Sequence, residues 1–139
     1  MKRTANAHWH GNLMEGTGEL STQSAVLSNT QYSFKTRFAD GNGTNPEELL
    51  AAAHAGCFSM ALSATLAQNG FTAGELFTTA IVDLDMQALS IIGIHLELKA
   101  TLIDGLGAAE FNEIAQGAKA HCIISKALSV PITLTITYA

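Results

Sequence analysis

Two cysteines, Cys57 and Cys122, are the side chains through which this 139-residue chain could do covalent chemistry. Cys57 lies in an apolar run, LLAAAHAGCFSMAL, well inside a helix that the flanking residues predict. A cysteine there can pack as a small apolar residue. It can also be a nucleophile, but it is too far from the helix N-terminus for the dipole to lower its pKa. A reactive thiolate at Cys57 therefore needs a cation brought from elsewhere. Cys122, in AHCIISKALS, falls at the junction of two predicted helices, where the first amides of the second helix are free and can favour a thiolate. The two cysteines fit a two-thiol redox pair, and equally two unrelated core residues.

The groups that could serve such a thiol are few. Arg37 is one of only two arginines. It ends an alternating stretch, QYSFKTRF, just before a turn-rich loop, ADGNGTN, and can project from there into a site or simply into solvent. Glu47 stands in the first turn of the long helix, where an acidic side chain also suits the helix dipole. Glu47 precedes Cys57 by about ten residues on one helix, a rise of about 15 Å. Both can serve one site only if a second subunit supplies the carboxylate. A rival constellation is zinc: His54 and Cys57 share a helical face, and His121 adjoins Cys122. Adjacent helical residues point about 100° apart, which argues against His121 and Cys122 ligating together. His8 and His10 share one face of the first strand, which reads as solvated. No phosphate-binding glycine loop and no G-x-S-x-G elbow is present.

These residues must be positioned by a mixed set of elements. Segments 5–11, 16–22 and 31–38 read as strands, the last with Tyr32, Phe34 and Phe38 on one face. Asn45 as N-cap, Pro46 at the first helical position and Glu48 completing the capping pattern start a helix that runs to Gln68 and ends at Gly70. Residues 79–88 alternate, with Ala80, Val82, Leu84 and Met86 inward. Residues 91–103 alternate with Ile92, Ile94, Leu96, Leu98, Ala100 and Leu102 inward. Helices over 108–120 and 123–129 and a last strand, PITLTITYA, complete an α+β fold with mainly antiparallel pairing. The long helix is apolar nearly all round, so it should be buried on most sides. Its Ala51, Ala52, Ala55 and Gly56 allow close approach by another helix. A homodimer with a shared core is the expectation.

The bulk composition narrows the function. The length fits one domain, residues 1–139. Hydrophobic content is 47% and charged content 14%, an ordered and charge-poor chain. A net charge of −5 with seven Lys and Arg gives no footprint for nucleic acid. The 49–67 window is uncharged, but it is rich in Ala, Ser and Gly, has an acidic N-terminal flank in Glu47 and Glu48 and contains His54, which argues against a membrane span. The N-terminus has no apolar stretch behind its basic residues. A cytoplasmic, reducing setting follows, where cysteines are thiols rather than permanent disulfides.

The runs FKTRF…GTNPEELLAAAHAGCFSMALS, AHWHGN…GTGELSTQS and HC-x-x-SKAL resemble the OsmC/Ohr family of osmotically inducible and organic hydroperoxide resistance proteins, the OsmC branch most closely. The likeness covers essentially the whole chain. It implies a thiol-dependent peroxidase that reduces organic hydroperoxides to alcohols, on an intertwined homodimer with two central helices and active sites at the subunit interface. It further implies Cys57 as peroxidatic and Cys122 as resolving cysteine, Arg37 as activator of the thiolate and Glu47 as its carboxylate partner. No bound cofactor is implied. An external dithiol, of which lipoyl proteins are the implied kind, would restore the thiols. The family often has proline after the second cysteine. This chain has Ile123 there, which could loosen the turn that carries Cys122. A non-turnover redox sensor or binding protein on the same fold is the alternative.

Overall fold

The computed structural model describes residues 1–139. They fall into two compact units, Met1–Leu49 and Leu50–Ala139.

The first unit contains a three-stranded antiparallel sheet of β1 (Ala5–His10), β2 (Thr17–Thr22) and β3 (Thr30–Tyr32), in that order. Gly18 lets the strands close: a Cβ there would collide with the Tyr32 ring and meet Trp9 Cε3 at 2.7 Å. Those two rings pack across the sheet at 5.5 Å. The strand expected over 31–38 stops at Tyr32, and Phe34–Phe38 forms a short helix, α1. The cause is local. Ser33 Oγ accepts the Thr36 amide and Thr36 Oγ1 accepts the Ser33 amide, a reciprocal cap that starts a helix. Phe34 and Phe38 then lie one turn apart, with ring centroids at 4.8 Å. Arg37 therefore projects from a helix and not from a strand end.

Helix α2 (Pro46–Gln68) starts where the capping signal places it, with the Glu48 amide bonded to Asn45 Oδ1 at 2.8 Å. The Glu48 side chain does not close a capping box; it accepts from Thr44 Oγ1 instead. α2 buries one stripe, His54, Phe58, Leu62 and Leu66, at a spacing of one turn. Met60 remains 76% exposed, so within one chain the helix is covered on one side and not on most sides.

The second unit holds the main core. β4 (Leu76–Asp85) pairs antiparallel with β5 (Ser90–Ala100), and β5 pairs parallel with β6 (Ile132–Tyr138). Pairing in the whole chain is thus mainly antiparallel, with one parallel ladder. That ladder is reached through a crossover made of α3 (Ala108–His121) and α4 (Ile123–Ala127). Ile94, Leu96 and Leu98 of β5 pack with Phe58, Leu62 and Leu66 of α2 and with Phe111, Ala115 and Ala118 of α3. Tyr138 stacks on Phe111 at 4.0 Å, and its hydroxyl takes the Ile103 amide, which fixes the loop into α3. Three residues expected inside are exposed: Met86, Ile92 and Leu102. Met86 and Leu102 lie beyond the strand ends. Ile92 is the extra residue of a bulge, since Asp83 pairs with Gly93 and Leu84 with Ile91.

Candidate functional site

In the first unit, Arg37 and Glu47 are brought together by short-range bonds. Asn45 Nδ2 donates to the Thr36 carbonyl and the Thr44 amide donates to the Gln31 carbonyl. These fix the loop between α1 and the start of α2. Arg37 Nε and Nη2 then both donate to Glu47 Oε1, at 3.0 and 2.7 Å. The guanidinium also lies 5.4 Å from the Phe38 ring centroid. The pair is asymmetric. Arg37 is 44% exposed and Glu47 only 13%, and Glu47 Oε2 is buried without a partner. The fork is half used, so the guanidinium retains free N–H donors toward the open side.

In the second unit, Cys57 of α2 and Cys122 at the α3–α4 junction are both free thiols, with their sulfurs 3.0 Å apart. That is longer than a disulfide bond and short enough for one thiol to donate to the other. Cys122 ends α3 and precedes α4, so the first amides of α4 face sulfur. Burial pushes the Cys57 thiol up, and so does its hydrogen bond to Cys122; the Ile124 and Ile123 amides oppose this. For Cys122 burial also acts upward, but bonds from Cys57, from the Ser125 amide and hydroxyl and from the Ile124 amide outweigh it and bring that thiol down. Either sulfur can be the donor. The amides of α4 favour the ionised Cys122 with Cys57 S–H donating to it. Ile123 has a consequence of its own here, since a proline at that position would have no N–H to offer Cys57.

Cys57 opens onto a largely apolar groove of about 1090 Å³ whose lining includes Met60, Ala61, Ala64, Ile114 and Ile124. Phe58, in contrast, points into the core and is fully buried. The remaining sequence candidates separate. His54 Nε2 lies 2.8 Å from Ser125 Oγ, and His121 is exposed with Nδ1 on the Gly117 carbonyl. His8 and His10 are exposed on β1. Ser125 was missed as a site residue, although its spacing from Cys122 places both on one helical turn.

The model of the OsmC-like protein family matches residues 39–137. The chain is 45% identical over 133 residues to Peroxiredoxin OsmC of Escherichia coli, covering 95% of this chain and 93% of that protein. It is 35% identical over 102 residues to an organic hydroperoxide resistance protein of Xanthomonas axonopodis pv. citri, covering 73% and 70%. Among solved structures, an organic hydroperoxide resistance protein from Elizabethkingia anophelis superposes with a TM-score of 0.71 at 25% identity, covering 100% of this chain and 99% of that one.

Proposed function

Because the chain belongs to the OsmC-like protein family, we propose that it is a cysteine-based peroxidase that reduces organic hydroperoxides to alcohols. The observation that carries this reading is the 3.0 Å approach of two free thiols, one of them opening on an apolar groove. In the first step the Cys57 thiolate attacks the distal peroxide oxygen. An S–O bond forms, the O–O bond breaks, and the alkoxide leaves as alcohol after taking a proton. Cys57 is now a sulfenic acid. The Cys122 thiolate attacks the Cys57 sulfur, an S–S bond forms, and the hydroxyl leaves as water. A dithiol then reduces the disulfide by exchange.

Arg37 is the cation this scheme gives to Cys57, and Glu47 orients it through charge-assisted bonds. Glu47 and Cys57 stand about 15 Å apart along one helix, so the Arg37–Glu47 pair of one subunit serves the Cys57 of the other. The same homodimer would cover the exposed stripe of α2 around Ala52 and Gly56. Alkyl and lipid hydroperoxides suit the apolar groove better than hydrogen peroxide does.

Consumption of cumene hydroperoxide with a dithiol present tests the reading. Wild-type turnover no greater than that of Cys57→Ser sinks the enzyme and leaves a redox sensor. One equivalent of hydroperoxide should yield a Cys57–Cys122 disulfide within one chain by peptide mass spectrometry. Finding only over-oxidised Cys57 would remove Cys122 as the resolving thiol.

A further inference from the structure

The proposed reaction leaves one fully buried polar side chain of the second unit without a task. His54 has no exposed surface, Nδ1 has no hydrogen-bond partner, and burial holds its pKa below the usual imidazole value. A neutral imidazole in a core with one nitrogen unpaired costs more than an apolar side chain of that size. Its single polar contact is therefore informative: Nε2 lies 2.8 Å from Ser125 Oγ.

That contact is half of a repeated arrangement. His54 and Cys57 are neighbours one turn apart on α2, and Cys122 and Ser125 have the same spacing at the start of α4. Two rungs join the elements, Cys57 Sγ to Cys122 Sγ at 3.0 Å and His54 Nε2 to Ser125 Oγ at 2.8 Å. A serine hydroxyl has one proton to give. Ser125 stands one helical turn on from Cys122, and its hydroxyl is among the groups that bring that thiol down; if it gives its proton to His54, that support is lost. If His54 Nε2–H donates instead, the Ser125 proton is free to point at sulfur, and the unpaired Nδ1 is a bare lone pair.

We propose that His54 is a positioning residue for the resolving thiol: its Nε2–H donates to Ser125 Oγ and so turns the Ser125 hydroxyl proton toward Cys122 Sγ. His54 touches no reacting atom. Ser125 stabilises the Cys122 thiolate while it attacks the Cys57 sulfenic acid. In that step Cys57 S–O breaks, S–S forms, and the hydroxyl combines with the proton released by Cys122 to leave as water. Neither His54 nor Ser125 is consumed. The part played in resolution rests on the peroxidase reading, whereas the effect on Cys122 does not.

The experiment separates the two. In a Cys57→Ser background, the pH dependence of the ultraviolet thiolate absorbance reads Cys122 alone, a readout that suits a sulfur with no exposed surface. Glu113 and His121 of α3, which line the groove with Cys57, and Lys126 of α4 are exposed and present in every variant. Ser125→Ala and His54→Leu should each move the midpoint to higher pH, equivalent to about tenfold less thiolate below it. The double variant should go no further than either single one. His54→Gln, whose amide can donate to Ser125, should recover part of the shift. An unmoved midpoint in Ser125→Ala, or an additive double variant, overturns the proposal. Ser125→Ala is small enough to fold even if His54→Leu does not. With Cys57 present, the lifetime of the sulfenic acid should lengthen about tenfold in His54→Leu or Ser125→Ala. If the wild type forms no sulfenic acid, the peroxidase reading fails while the absorbance midpoint still decides the role of His54.

Discussion

The two polar pairs of the molecule are built in opposite ways. In the first unit Arg37 and Glu47 carry full charges, and a short loop pins them together, with the arginine half exposed. In the second unit two uncharged thiols meet in a largely apolar setting, and the bonds around them favour ionisation of Cys122 over Cys57. In the proposed reaction the first pair supplies the cation and the second the nucleophile, and the bonds around the thiols favour the thiolate on Cys122 rather than on the attacking Cys57. In the proposed reaction the charge of Arg37 must reverse that polarity. The difference teaches that a thiol pair at contact distance is poised to form a disulfide, and not by itself poised to attack a peroxide.

The largest effect should come from removing the cation. Arg37→Met should lower the second-order rate of hydroperoxide consumption about 100-fold, in the range of losing one preorganised donor to a developing charge. Its cost in stability should be about 1 kcal/mol or less, because the pair is partly exposed. Arg37→Lys should restore only part of the rate, since a lysine cannot reproduce the Nε and Nη2 fork on Glu47. Stopped-flow rates of Cys57 oxidation, set beside a denaturant titration, check both numbers. Equal rates for wild type and Arg37→Met would break the comparison, because the thiol pair would then be self-sufficient.

Glu47→Gln tests whether orientation matters beyond charge. It keeps the shape, removes the charge, and leaves Arg37 with a weaker acceptor. The rate should fall about tenfold, roughly the difference between charge-assisted and neutral hydrogen bonds. Rising KM with steady kcat in this variant would instead mean that Glu47 shapes substrate binding.

Much of this was legible in the chain, and the misses have physical causes. The start of α2 could be read because Asn45, Pro46 and the acidic first turn act through the backbone of their own segment. Residues 31–38 misled because Phe34 and Phe38 fit both a strand face and a single helical turn. The arbiter was Ser33 with Thr36, a cap that lacks the usual acidic partner. The bulge at Ile92 has a faint signal in the adjacent Gly93, which permits the irregularity. Cys57, Cys122, Arg37 and Glu47 could all be nominated by residue chemistry, and their separate roles by family resemblance. The His54–Ser125 contact could not be found that way. It joins α2 to α4, and no local pattern records which residues of two distant elements meet.

His54 also makes the second unit sensitive to acid. Its folded pKa is lowered by burial from the unfolded value of about 6.5. The unfolded chain therefore binds the extra proton first. Stability is complete above pH 6.5 and is lost as pH falls through that value, with a slope of at most about 1.4 kcal/mol per pH unit until the folded pKa is reached. His54→Gln should flatten this part of the profile, measured as denaturation midpoints between pH 7 and pH 5. Arg37→Met, acting in the other unit, should leave the slope as it is.

The smallest effect should be the most local. Ile123 is the first residue of α4, a position where proline is tolerated. Ile123→Pro should therefore fold, but it removes the amide that now opposes the upward push of burial on Cys57. Cys57 oxidation should slow about three-fold at neutral pH, a fraction of what one hydrogen bond to a charged group contributes. The sign is the informative part. A rate that rises in Ile123→Pro would mean that a stiffer turn at Cys122 outweighs the lost donor, and that the thiol pair is limited by how it is held rather than by how it is charged.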